Sequence, residues 1–101
     1  MLRYADIAAL PADGADAQVA MGRLLKVLQA MPGVRITVQD ADYVRAEATT
    51  TVLGFVDDLE FWFNPATNAI DLRSASRLGR EDFGVNRKRI EHIRAAYANR
   101  P

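Results

Sequence analysis

Between Val34 and Leu72 the chain alternates apolar and polar residues in short runs. The links between the runs are too short for neighbouring strands to run parallel. Val34, Ile36 and Val38 alternate with Arg35, Thr37 and Gln39. After Asp40-Ala41-Asp42, Val44, Ala46 and Ala48 alternate with Tyr43, Arg45, Glu47 and Thr49. A third, aromatic run holds Val52–Phe55 and then Leu59, Phe61 and Phe63, interrupted by Asp57 and Asp58. Asn64-Pro65-Ala66-Thr67-Asn68 carries strong turn chemistry, with Pro65 fixing φ and asparagines able to bond the local backbone. Ile70 and Leu72 open a fourth run. The pattern predicts an antiparallel four-stranded meander with one apolar face.

Two helices flank it. Asp16 is a good N-cap for a helix ending at Met31 before Pro32-Gly33, with Ala20, Leu24, Val27, Leu28 and Met31 inward and Arg23, Lys26 and Gln29 outward. A second helix covers about Val85 to Ala98 on the stripe Ile90, Ile93, Tyr97, with Arg87 and Glu91 paired at i, i+4 on its surface. The order α-β-β-β-β-α defines an α+β fold with both helices on the apolar face of the sheet. The other face then bears Arg35, Tyr43, Arg45, Glu47, Glu60, Trp62 and Arg73. Residues 1–15, with Pro11 and Gly14, read as a loosely docked arm, and 16–101 as one domain.

Composition narrows the function classes. A chain of 101 residues can close one core, burying roughly 60–70% of its unfolded surface. It has no cysteine, which excludes disulfides, thiolate metal sites and cysteine nucleophiles. No run of about 18 apolar residues is present to span a membrane. The first residues show no signal peptide, so the expectation is a cytoplasmic protein by default, or a periplasmic one if trimmed. Formal charge is zero but unevenly spread. Residues 1–70 hold five basic and nine acidic side chains, and 71–101 hold eight basic and four acidic. With a pI of about 6.6, this is two complementary halves rather than a surface for nucleic acid.

The densest polar stretch runs from Arg73 to Glu91, behind the acidic cluster Asp57, Asp58 and Glu60. Adjacent strand residues point to opposite faces, so one of Asp57 and Asp58 is directed at the helix layer, where it requires a cation or backbone donors. Arg73, Arg77, Arg87 and Arg89 are the available cations. A buried Asp–Arg network pinning residues 77–86 is the favoured reading. The functional alternative is an anion cradle: Gly79 and Gly84 for close approach, hydroxyls from Ser74 and Ser76, forked donors from Arg73, Arg77 and Arg87, and Asn86 at a helix N-terminus.

Other constellations are weaker. His92, the single histidine, lies off the apolar stripe, and nothing supports a Ser–His–Asp triad. Two or three acids fall short of a calcium loop, and no metal site or cofactor is expected. The carboxylate pair also suggests glycoside hydrolysis, but so small a domain lacks the usual cleft.

From Tyr43 onward the chain resembles the bacterial and plastid DUF1499 family, a domain of unknown function. The residues that carry the resemblance are Gly54-Phe55-Val56-Asp57-Asp58-Leu59-Glu60-Phe61, then Arg73-Ser74-Ala75-Ser76-Arg77 with Gly79, then Asp82, Gly84, Asn86-Arg87-Lys88-Arg89 and Glu91. The resemblance implies no established activity, and its signature falls on the positions singled out above. Relatives often carry an upstream Cys-containing segment and an export signal or membrane anchor; neither is visible in this sequence.

The leading expectation is a non-enzymatic module binding a small anionic or amphipathic ligand through Asp57, Asp58, Glu60, Arg73, Ser74, Ser76, Arg77, Asn86 and Arg87. The alternative is a protein-interaction or homodimerisation domain using the open sheet face around Trp62. A small hydrolase with Asp57 or Asp58 as base comes third.

Overall fold

A computed structural model describes residues 7–50, 54–77 and 85–99. In chain order the elements are β1 (Leu10–Pro11), α1 (Ala17–Gln29), β2 (Val34–Gln39), β3 (Tyr43–Thr49), β4 (Val56–Asn64), β5 (Ala69–Ser76) and α2 (Val85–Ala98). All strand pairs are antiparallel, in the spatial order β1-β5-β4-β3-β2. The α+β architecture and the antiparallel meander are as the alternation predicts. The sheet has five strands, however, not four.

The added strand comes from the segment read as a loose arm. Leu10 pairs with Ile70 and Pro11 with Ala69, while Ile7, Leu10 and Ala12 are buried in the main core. Polar contacts hold the segment down. Asn68, at φ 51° in the turn between β4 and β5, accepts from the Gly14 amide at 2.6 Å and donates to the Ala15 carbonyl at 2.9 Å. Arg94 of α2 donates to the carbonyls of Ala8 and Ala9. Two residues are too few to show a period, which is why the strand is silent in the sequence.

β1 and β2 are opposite edges of the sheet, so α1 crosses the apolar face between them. Asp16 caps it by accepting from the Val19 amide at 3.0 Å. Ala20, Met21, Leu24 and Leu28 are its buried residues. α2 lies on the same face with Ile90, Ile93 and Tyr97 buried, and the Tyr97 hydroxyl donates to the Ala20 carbonyl of α1. Between helices and sheet lie Val44, Ala46, Ala48, Leu59, Phe61, Ile70 and Leu72.

Two strand readings need correction. The third strand starts at Val56 rather than Val52; Gly54 and Phe55 instead close a turn on Thr50, whose hydroxyl accepts from the Phe55 amide, and Val52 lies outside the described residues. In β2 the register slips between Ile36 and Val38. The bulge sets Val38 opposite Arg45 and so turns it to the open face, 39% exposed, instead of inward.

The buried first segment gives a direct prediction. Leu10→Ala should destabilise the domain by about 2–5 kcal/mol in urea unfolding, as expected for a large-to-small change in a closed core. A loss below about 0.5 kcal/mol, the level of a surface change, would return residues 7–15 to the status of an arm.

Candidate functional site

The alternation of β4 sends its two aspartates to opposite sides of the sheet. Asp57 pairs across to Ala48 and Ser76 on the helix side, and Asp58 to Glu47 and Ala75 on the open side. Two polar clusters result.

The inner cluster joins the layers. Arg89 of α2 donates through Nη1 to Asp57 Oδ2 at 2.9 Å and to Asn86 Oδ1 at 2.8 Å. Ser74 Oγ on β5 donates to the same Asn86 oxygen. The Asp57 and Arg89 side chains are 2% and 10% exposed, so each charge depends on the other for compensation. Asn86 and Arg89 stand three residues apart, hence on one face of the first turn of α2. Ser76 lies half-buried beside Asp57 in the ladder. A buried Asp–Arg network is thus present, with Arg89 as its cation, while the pinning of residues 77–86 expected of it falls mostly on 78–84, outside the described residues.

The outer cluster is a ladder across the open face. Arg77 grips Asp58 through Nε and Nη2, both at 3.0 Å, and reaches Glu47 Oε2 at 2.6 Å. Arg35 donates to the other Glu47 oxygen at 2.9 Å. In the next row Arg45, Glu60 and Arg73 face one another. Glu60 accepts from Arg73 at 3.2 Å and from the Tyr43 hydroxyl at 2.8 Å, while Arg45 makes a looser 3.6 Å ion pair to Asp58. Tyr43 pairs with Trp62 and Trp62 with Asp71 in the row beyond.

Electrostatics follow these contacts. The Arg77 hydrogen bond, with Arg35 beside it, holds the Glu47 carboxyl below its ordinary 4.5. Arg77 also holds Asp58 below its ordinary 3.8, assisted by Arg45 against a partial desolvation. The two carboxylates in turn hold the Arg77 guanidinium more firmly protonated.

The candidate residues are thus divided between two faces. Asp57, Ser74, Ser76 and Asn86 belong to the inner side; Asp58, Glu60, Arg73 and Arg77 belong to the outer. Arg87 is exposed on α2 and joins neither cluster. The glycines of the expected anion cradle, Gly79 and Gly84, lie outside the described residues. Arg89 and Glu47 are central, yet neither stood among the candidate ligand residues. Arg89 could have been found from its i+3 spacing to Asn86, and Glu47 from its parity with Arg35 and Arg45. Among the described residues no group of three His, Cys, Asp or Glu side chains could hold a metal ion, and no helix is long and apolar enough to cross a membrane.

The chain belongs to the family described as protein of unknown function (DUF1499), whose model matches residues 2–97. The match takes in the N-terminal segment and α1 as well as the part from Tyr43 onward. Comparison with curated proteins and with solved structures found no match.

The ladder carries a signed pH prediction. Glu47 and Asp58 have folded values below those of the unfolded chain, so their stabilisation is complete above about pH 5 and is lost as pH falls through the folded values. The melting temperature should be flat from neutrality down to that point and then drop, and Arg77→Ala should flatten the drop. An unchanged acid slope in Arg77→Ala would show that other groups govern it.

Proposed function

We propose that this domain is a non-enzymatic binding module whose open sheet face takes a small ligand with an anionic group and an apolar body. The observation that carries the reading is the row Tyr43–Trp62 next to the row Arg45–Glu60–Arg73, on a face that neither helix covers. Aromatic rings offer apolar area at low entropic cost, and the guanidinium fork suits carboxylate or phosphate. Arg45 is the best-placed anchor. Its side chain is 45% exposed and among the described residues makes only the long contact to Asp58, so most of its five N–H donors remain for a ligand.

The chemistry of the carboxylates supports binding over hydrolysis. Asp57 is enclosed beneath α2 and bound to Arg89, and Asp58 is gripped by Arg77 and lowered. A general base needs a carboxylate that substrate can reach and that is not held ionised by a cation; Asp57 is out of reach and Asp58 is held below its ordinary value.

Trp62 is the only tryptophan, so its fluorescence reports directly on this face. Titration with decyl phosphate or decanoate, below their micellar concentrations, should give a saturable spectral change. Arg45→Ala should weaken binding by about tenfold or more, the loss expected for a charge-assisted hydrogen bond. Arg87→Ala, on the exposed side of α2, should leave it unaltered. A non-saturable response, or equal weakening by both variants, would sink the proposal.

A further inference from the structure

The sheet ends differently at its two edges. β1 is two residues long and includes Pro11, which has no N–H to offer a further strand. β2 has six residues, none of them Pro or Lys, and among the described residues no strand pairs with its outer side. The core is only partly closed at this same edge. Leu25, Met31, Val34 and Ile36 pack on it only partly buried, and a shallow cavity of about 470 Å³ is lined by Gln29 and residues 34–39. Leu25 is one helical turn before Gln29 and shares its flank of α1.

We infer that β2 is a homodimer interface, at which β2 of a second copy pairs antiparallel across a two-fold axis and makes the two sheets continuous. The bulge supports this occupant. Facing residues of paired strands must lie on the same side of the sheet. The slip at Thr37 puts Arg35 and Val38 on the open side and Val34, Ile36 and Gln39 on the helix side. Continued alternation places Asp40 with Arg35.

Two-fold registers that respect these sides set Arg35 against Val38 of the second copy, with Val34 against Gln39. Alternatively they set Arg35 against Asp40 of the second copy, with Ile36 against Gln39. Neither opposes like charges. Antiparallel pairing also carries the basic Arg35 end of one strand to the acidic Asp40-Ala41-Asp42 turn of the other, whereas parallel pairing would bring Arg35 beside its own copy. Arg35, the most exposed of the ion-paired arginines among the described residues at 76%, keeps Glu47 as its in-chain partner and retains further donors. On the helix side the joined sheets bring the half-open core edges together, so Ile36 and Leu25 become more deeply buried. The interface is isologous, as a closed two-fold dimer requires.

Sedimentation velocity of the full chain from micromolar to millimolar concentration tests this. A reversible dimer is expected. Val38→Lys adds a cation on the open side beside Arg35 of the second copy, directly opposite it in the first register and diagonal to it in the second, and should weaken the dimer by about tenfold or more, while Val38→Glu should hold or tighten it. Both variants should keep the circular dichroism of the parent, because Val38 is exposed. A monomer throughout the range overturns the inference, as does a dimer equally strong in both variants, which must use another surface. A monomer that instead takes up an extended peptide along β2 overturns the second copy as the occupant. Ligand titration at Trp62 is read separately, so failure of one proposal leaves the other standing.

Discussion

The ion pair between Asp57 and Arg89 connects the sheet to the helix layer through charges that water hardly reaches. Much of the arrangement follows from it. A carboxylate on the apolar face of a sheet is tolerated only with a partner, and a guanidinium that shares its donors with Asn86 fills that need. Because Asn86 also accepts from Ser74, the first turn of α2 is tied to both β4 and β5. The apolar stripe of Ile90, Ile93 and Tyr97 then continues the docking along the helix. Packing supplies most of the adhesion, while the polar cluster fixes the position of α2 along the strands.

The same alternation that buries Asp57 exposes Asp58, and this separates structural from surface chemistry. The inner cluster is enclosed and mutually satisfied. The outer ladder is accessible, and its charges are distributed so that Arg77 serves two carboxylates while Arg45 is held only loosely. A single stretch of sequence rich in Asp, Arg and Ser therefore builds two different objects on the two faces of one sheet.

The meander was legible because period-two alternation with short turns leaves few other choices, and Asp16 and the Ile90–Ile93–Tyr97 stripe declared the helices. The opposite fates of Asp57 and Asp58 also followed from parity alone. Three features were hidden for physical reasons. Leu10 and Pro11 form a strand through partners 60 and 58 residues away, Ile70 and Ala69, with no local pattern of their own. The bulge at Thr37 has no compositional mark, so Val38 reads as inward when it faces out. The choice of Arg89 over Arg73, Arg77 or Arg87 as the buried cation depends on how α2 lies on the sheet, which local sequence does not specify. The same ambiguity made one candidate site of residues that the sheet holds apart.

The most direct measurement is a double-mutant cycle on the inner pair by urea unfolding, using Asp57→Leu, Arg89→Met and the two together. If the pair sets the position of α2, each single change should cost about 3–5 kcal/mol by leaving a buried charge alone, and the double variant should recover most of that loss. Hydrogen exchange should show the α2 amides losing protection in the single variants while those of β3 and β4 keep theirs. Single losses below about 1 kcal/mol that simply add in the double variant would contradict the account and leave apolar packing alone to hold the helix.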